Sequence, residues 1–159
     1  MLTRIILSAA LFAAPTLLAQ STEPIVHTVA DLAQHEAKAT EAAKASPTGF
    51  GVEILDDYGN DYTLLVVRLK TGNAERHQVY ADEIVILKGS LTLVTGGVMQ
   101  NEHTNPGPKK PGETLGSEVT GGKEIVLHPG EIAHIPAGVP HWVKVAPGTS
   151  TTYLVFKEK

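Results

Sequence analysis

The sequence predicts an all-β domain, a sandwich or barrel of many short strands that follows one N-terminal helix. Two observations support this prediction. Glycine (15 residues) and proline (10 residues) are frequent, and aromatic side chains make up only 5% of the 159 residues, which favours strands and turns over a helical bundle. From residue 50 onwards, short apolar runs alternate with turn signals at regular spacing, as in sandwiches and barrels. The length predicts one domain.

The first residues predict an export signal over 1–19. One arginine, Arg4, precedes an apolar run that ends in Leu17-Leu18-Ala19, and polar residues follow. This order is typical of a secretory signal cleaved after Ala19. The apolar run is too short to span a bilayer of roughly 30 Å. We therefore expect a periplasmic or secreted protein that has no membrane contact after the signal is removed.

The segment 20–49 is expected to contain a single helix. Thr28 and Asp31 are spaced as in a capping box, and alanine-rich sequence continues to Ala45, where Ser46 and Pro47 end the helical pattern. The predicted helix spans 29–45. Its apolar stripe is thin, so we expect it to pack on the outside of the domain.

The segment 50–159 is expected to form the barrel. Phe50, Val52 and Ile54 alternate with smaller or polar residues, as in a half-buried strand. Further strands are predicted at 62–70, 75–80, 83–88, 90–95, 124–128, 131–135, 141–145 and 151–157. The segment 99–123 is rich in Gly and Pro and is expected to be a long functional or mobile loop at the barrel mouth. It is no phosphate-binding loop, because Glu113 stands where the lysine is required.

Composition excludes several function classes. The formal net charge is −4 and no basic stripe is present, which argues against nucleic-acid binding. The chain has no cysteine, so disulfides, thiolate zinc sites, iron–sulfur clusters and thiol nucleophiles are all excluded.

Two segments contain the residues that suggest chemistry. In the second of them, Gly130, Pro136, Gly138 and His141 are spaced as Gly, five residues, Pro-x-Gly, two residues, His. This segment resembles the second motif of the cupin superfamily at every one of these spacings. The resemblance covers roughly residues 62–157 and implies a single-domain jelly-roll β-barrel.

The first segment matches the other cupin motif with two substitutions. Glu75 takes the place of the first histidine, His77 that of the second, and Asp82 that of the glutamate, six residues before Gly89. A competing register uses His77 as the first histidine and Glu83 as the glutamate. It leaves no histidine at the second position and is one residue short before the glycine, so we prefer Asp82.

These residues predict a site for one divalent metal ion. Side chains on a strand alternate between faces, so Glu75 and His77 point the same way. The cupin resemblance implies that Asp82 and His141 reach the same place from other strands. Two imidazoles with a carboxylate suit non-haem iron and leave positions open for a substrate, and three protein ligands also suit zinc. We predict His77, His141, Glu75 and Asp82 as ligands of Mn, Fe, Zn or Cu.

Several alternatives stay open at this point. The acidic residues could be solvated strand-end charges, His141 could be a packed core histidine, and His134 could be a further ligand, although we expect it to be packed in the barrel wall. The predicted function is a small-molecule metalloenzyme, either oxygenase-like or an isomerase or lyase. The alternative is a non-catalytic module that binds a metal or small ligand. The expected partner is a small molecule, with a possible homodimer through the helix at 29–45.

Overall fold

The computed structural model describes residues 23–105, 107 and 111–159. The predicted signal over 1–19 lies outside these residues, so export stays a prediction. One helix, α1 (Val29–Ala45), precedes the strands, and its bounds are those predicted from the sequence. The capping box is present: the Asp31 amide donates to the Thr28 hydroxyl at 3.2 Å, and the Thr28 amide donates to the Asp31 carboxylate at 3.0 Å. In the part of the chain that is described, no helix has the length and apolarity needed to cross a membrane.

The strands pair antiparallel in two large sheets and one small one. Their bounds are β1 Phe50–Asp57, β2 Tyr62–Arg68, β3 Ala74–His77, β4 Ala81–Lys88, β5 Leu91–Thr95, β6 Val98–Gln100, β7 His103–Thr104, β8 Glu113–Gly116, β9 Glu118–Thr120, β10 Lys123–Leu127, β11 Ile132–Ile135, β12 His141–Lys144 and β13 Thr151–Glu158.

The two large sheets face each other and enclose the main core. The first sheet has the order β1-β2-β13-β4-β11 and the second has the order β10-β5-β12-β3-β8-β7. Buried aliphatic side chains from both sheets fill the space between them, among them Val66, Ile84, Leu93, Val143 and Val155. This is the jelly-roll arrangement that the sequence predicted.

Helix α1 covers the outer face of the first sheet. Ala39 and Ala43 of the helix pack on Leu65 and Val67 of β2. Because β2 is covered on both faces, it is apolar along nearly its whole length. The apolar side of α1 is thus used within the chain, and a homodimer through this helix stays a prediction.

The expectation of a structureless loop over 99–123 is wrong. This segment contains most of β6 and all of β7, β8 and β9; β8 joins the large sheet next to β3, and β6 pairs with β9. These strands are only two to four residues long and more than half polar, so they have little local signal. The backbone hydrogen bonds of β8 come from its pairing with β3, which the local sequence does not predict.

Candidate metal centre

Strand pairing brings the two sequence motifs together. In the second sheet β12 lies antiparallel beside β3, with His141 directly opposite Glu75. Residues directly opposite in an antiparallel pair project to the same face. His77 lies two residues after Glu75 on the same strand, so it projects to that face as well. The side chain of Arg76 points the other way and pairs with Glu102 at the surface.

A glycine turn connects the motifs directly. The amide of Gly138 donates to the carbonyl of His77 at 2.8 Å. Gly138 has a φ of +81°, a conformation that side chains with a Cβ rarely adopt. This explains why the Pro-x-Gly turn before His141 needs its glycine.

Glu75, His77 and His141 form one compact cluster. Their candidate ligand atoms all lie within 4.8 Å of one another. His77 Nε2 is 3.5 Å from the nearer Glu75 oxygen, and the two imidazole rings are 5.2 Å apart between centroids. Both histidines are buried, with 6% and 4% of their surface exposed.

The outer nitrogen of each imidazole is already engaged. His77 Nδ1 lies 3.2 Å from the Glu113 carboxylate, and His141 Nδ1 lies 3.2 Å from the Val139 carbonyl. In a neutral imidazole, a hydrogen bond donated from Nδ1 leaves Nε2 as the lone-pair nitrogen, which is how metal-binding histidines are held. Among the described residues His77 Nε2 is buried and has no hydrogen-bond partner. The donor set therefore fits a metal ion.

Asp82 lies beside the cluster but is held by another group. Its carboxylate is buried on β4, with one oxygen 3.5 Å from His77 Nε2 and 3.7 Å from His141 Nε2. Lys157 of β13 donates to both of its oxygens, at 2.5 and 2.7 Å. Asp82 is thus adjacent to the three-residue cluster and outside it, and its role as a ligand stays a prediction.

Arg68 holds the third member of the cluster. Its guanidinium donates to one Glu75 oxygen at 3.0 Å and to the hydroxyl of Tyr153 at 2.9 Å. Burial by itself would raise the pKa of Glu75, but the contact with His77 at 3.5 Å and the charge of Arg68 outweigh it and hold that pKa well below its usual range. Glu75 therefore presents an ionised carboxylate to the cluster.

The two histidines differ in their electrostatic surroundings. Burial would lower the pKa of His77, but the adjacent carboxylates of Glu113 and Glu75 outweigh it and raise that pKa to about 9. For His141 burial dominates, and it lowers the pKa despite the nearby carboxylates. Without a bound ion, the proton at this site therefore belongs on His77, and a metal ion must displace it.

Two cavities meet at the cluster. The larger, of about 330 Å³, is lined by Glu75 and His77 at its inner end. The smaller, of about 60 Å³, lies inside the barrel and is lined by Glu75, His141 and Asp82. The cluster thus lies between a small cavity and a larger one that opens past β1, where Val52 and Ile54 are 37% and 53% exposed.

The structure separates the two registers considered for the first motif. Asp82 projects into the barrel, whereas Glu83 projects outward and lies 3.1 Å from His134. His134 is about half exposed, so the expectation that it packs in the barrel wall is wrong. It lies on an outward-facing position of β11, opposite Glu83 in register, far from a ligand position.

Three residues of the site were not predicted. Glu113 lies in the segment expected to be a loop, so its strand position was not recognised. Arg68 is the last residue of β2 and Lys157 the next to last of β13, and both follow apolar runs. A basic residue at such a position is usually exposed to solvent. A buried charge at such a place becomes meaningful only when its partner, Glu75 or Asp82, is known from the tertiary structure.

Comparison with known proteins supports the fold. No family profile and no curated protein matches this sequence. Similar solved structures include recombinant oxalate oxidase in complex with glycolate (17% identity, 72% of this chain, 53% of that chain, TM-score 0.50). Cobalt(II) HppE in complex with Tris buffer is similar at 16% identity, 70% and 55% coverage, and a TM-score of 0.50. Peruvianin-I, a cysteine peptidase from Thevetia peruviana latex, matches at 13% identity, 72% and 64% coverage, and a TM-score of 0.48.

The chain has the cupin fold, with a His and Glu cluster that could bind one metal ion. It spans about half to two-thirds of the length of these solved structures. At these identities the similarity establishes the fold alone, and the function has to be argued from the site.

Proposed function

We propose that this protein is an exported cupin that binds one divalent metal ion through Glu75, His77 and His141 and acts as a small-molecule metalloenzyme. The observation that carries the proposal is the buried Nε2 of His77, which makes no hydrogen bond within the described residues and faces two further donor residues within 4.8 Å. A buried polar atom without a partner is costly, and a metal ion would satisfy it. The structural similarity to a protein described with cobalt(II) also supports a metal in this fold.

The ligand set narrows the metal. Two imidazoles and one carboxylate suit non-haem iron and zinc, and they are also compatible with manganese and copper. A bound ion of this kind polarises a substrate oxygen or activates a coordinated water molecule. The reaction classes that follow are oxygenation or an isomerase or lyase reaction.

The residues around the cluster have positioning roles. Arg68 fixes the Glu75 carboxylate, and Glu113 fixes the ring of His77 through Nδ1. Apolar side chains line the larger cavity and limit water near the cluster. Lys157 donates to both oxygens of Asp82 in this structure, so we propose Glu75, His77 and His141 as the three protein ligands of the resting set.

Turnover tests the catalytic proposal. The protein is stripped with a chelator, reconstituted separately with Mn, Fe, Zn and Cu, and incubated with phenols, keto acids and sugars while oxygen consumption and substrate loss are followed. We expect turnover with one metal, loss of turnover in His141→Ala, and retention in His134→Ala. The last variant is a matched control, because His134 is an exposed histidine outside the cluster.

A non-catalytic binding module is the second candidate function. It is favoured by the pairing of each acidic side chain at the site: Glu75 with Arg68, Asp82 with Lys157, and Glu113 with His77. Such pairing restricts the proton transfers that general acid–base catalysis requires. Tight binding of a small ligand to the metal-loaded protein, without turnover for any metal, would support this candidate over the enzyme.

Export is a separate proposal that depends on the sequence of residues 1–19. Intact-mass measurement of protein recovered from the periplasm or the medium tests it. We expect a mature chain that begins at Gln20. A full-length chain retained in the cytoplasm would contradict export and would leave the metal site unaffected.

A further inference from the structure

The larger cavity has two chemically distinct ends. Glu75, His77, Arg68 and Lys157 lie at its inner end. Its walls are mainly apolar, with Phe50, Val52 and Ile54 of β1, Leu64 of β2 and Leu115 of β8, and they also include the polar side chains of Thr48, Tyr62, Asn73, Asn105 and Glu113. A ligand that binds an ion held by the cluster would therefore extend its remaining atoms along an apolar wall.

The open side of the cluster faces this cavity. Glu75 lines both cavities, whereas His77 lines the larger one and His141 the smaller one. The smaller cavity, about 60 Å³, also contains Asp82 and has room for little more than ordered water. Of these two cavities, the larger is therefore the one with room for a ligand of more than a few atoms beside the cluster.

The charges at the inner end set the charge of the ligand. Two of the described lining residues are basic, and each is held by an acidic partner: Arg68 by Glu75 and Lys157 by Asp82. A second anionic group on a ligand would consequently meet no unpaired cation among the described lining residues, while the carboxylates of Glu75 and Glu113 also line the cavity. Burial of an unpaired charge is strongly unfavourable.

The volume limits the size of the ligand. A cavity of about 330 Å³ is at the small end of the range for small-molecule sites. It accommodates one ring or a short aliphatic chain attached to a metal-binding group. Exposed lining residues include Ile54, which is 53% exposed, together with the polar Thr48 and Asn73.

We infer that this site takes a small amphipathic chelator: one oxygen-donor group with at most a single negative charge, attached to an apolar ring or chain that packs against β1, β2 and β8. This inference rests on the proposed metal site and names the class of its ligand. It excludes as preferred ligands sugar phosphates and dicarboxylates that bind the ion through one carboxylate only, because their remaining charge meets no unpaired cation among the described lining residues.

Calorimetric titration of the Zn²⁺-loaded protein tests the inference. The probes are acetohydroxamate, benzohydroxamate and 4-carboxybenzohydroxamate, which share the metal-binding group and differ in the attached body. Affinities are corrected by those of each probe for free Zn²⁺. We expect benzohydroxamate to bind at least about tenfold tighter than acetohydroxamate, and the added carboxylate to remove that advantage.

A variant pair distinguishes the cavity wall from a general surface effect. Val52→Asp places a charge at the cavity mouth at a position that is already 37% exposed, and Val98→Asp places the same charge on exposed β6 outside the cavity. We expect the first to reduce the preference for benzohydroxamate to less than about threefold and the second to leave it unchanged. Ile54→Asp serves in place of Val52→Asp if that variant fails to fold.

Each failure has a distinct meaning. If the protein binds no Zn²⁺, the proposed metal site fails, and the ligand inference fails with it. If Zn²⁺ binds and the corrected affinities of the three probes are equal, or Val52→Asp and Ile54→Asp leave them unchanged, the ligand inference is wrong and the metal site stands.

Discussion

Glu113 offers the sharpest test of how the site is organised. Its carboxylate lies 3.2 Å from His77 Nδ1 and is itself held by the side chain of Asn105. From this geometry we infer that Glu113 orients the imidazole ring of His77 so that Nε2 faces the other donors. Glu113→Gln keeps the shape of the side chain and removes its charge, so it perturbs His77 without opening a cavity.

The expected effect can be estimated from this contact. Loss of a carboxylate that orients a metal-binding histidine typically weakens the metal about 10- to 100-fold, which corresponds to about 1.4–2.7 kcal/mol. A metal at about 1,000 times its dissociation constant stabilises the native state by about 4.1 kcal/mol. The variant would retain about 1.4–2.7 kcal/mol of this at the same metal concentration. The metal-induced rise in Tm should then be smaller by roughly 3–10 °C.

The assay is thermal unfolding of wild type and Glu113→Gln, each with and without metal. Comparing the metal-induced shifts removes any change that the substitution makes to the metal-free protein. Glu102→Gln is the control. Glu102 is also an acidic residue, but it pairs with Arg76, which points to the outer side of β3, the strand that carries His77. A full metal-induced shift in Glu113→Gln would refute the positioning role of Glu113.

Three further predictions concern pH, the buried ion pair and the helix. In the metal-free protein the pKa of His77 is raised to about 9 from its ordinary value of 6.5, so its stabilising contribution is complete below about pH 6.5 and is lost as the pH rises to about 9. Urea unfolding should show this decline in wild type, and a decline of the same size in His77→Gln would assign it to another group. Lys157→Met leaves the buried Asp82 carboxylate without its cation, so the free energy of unfolding of the metal-free protein should fall by about 3–5 kcal/mol. Added metal should restore part of this loss. An unchanged free energy of unfolding in urea would contradict the pairing. Gly51→Ala would place a methyl group 1.8 Å from the Ala39 carbonyl oxygen, so we expect the free energy of unfolding in urea to fall by about 1–3 kcal/mol. An unchanged unfolding midpoint would mean that α1 is not packed this closely on β1.

Local signals were sufficient for most of the fold. The helix could be placed because Thr28 and Asp31 cap its start and Pro47 follows its end. The strands with aliphatic runs, such as β2 and β13, were also recognisable. Strand β8 was not, because its sequence is polar and ends in glycine and its hydrogen bonds come from pairing with β3, far away in the chain.

The site was predictable only where it follows motif spacing. Alternation along β3 was enough to place Glu75 and His77 on one face. The spacing of the Pro-x-Gly turn was enough to predict that His141 lies close to them. The bond between Asp82 and Lys157 joins residues 75 positions apart, and no local pattern relates them. The same holds for Arg68, whose buried guanidinium becomes part of the site only through its contact with Glu75.

Metal content is the measurement that tests the central claim most directly. Wild type, His77→Ala, His141→Ala and the control His134→Ala are recovered from the native compartment, and their metal is quantified by mass spectrometry. We predict about one equivalent of a single divalent metal in wild type and in His134→Ala, and its loss in the two cluster variants. Wild type without metal and without stabilisation by added Mn, Fe, Zn or Cu would contradict the account, as would full metal content in both cluster variants.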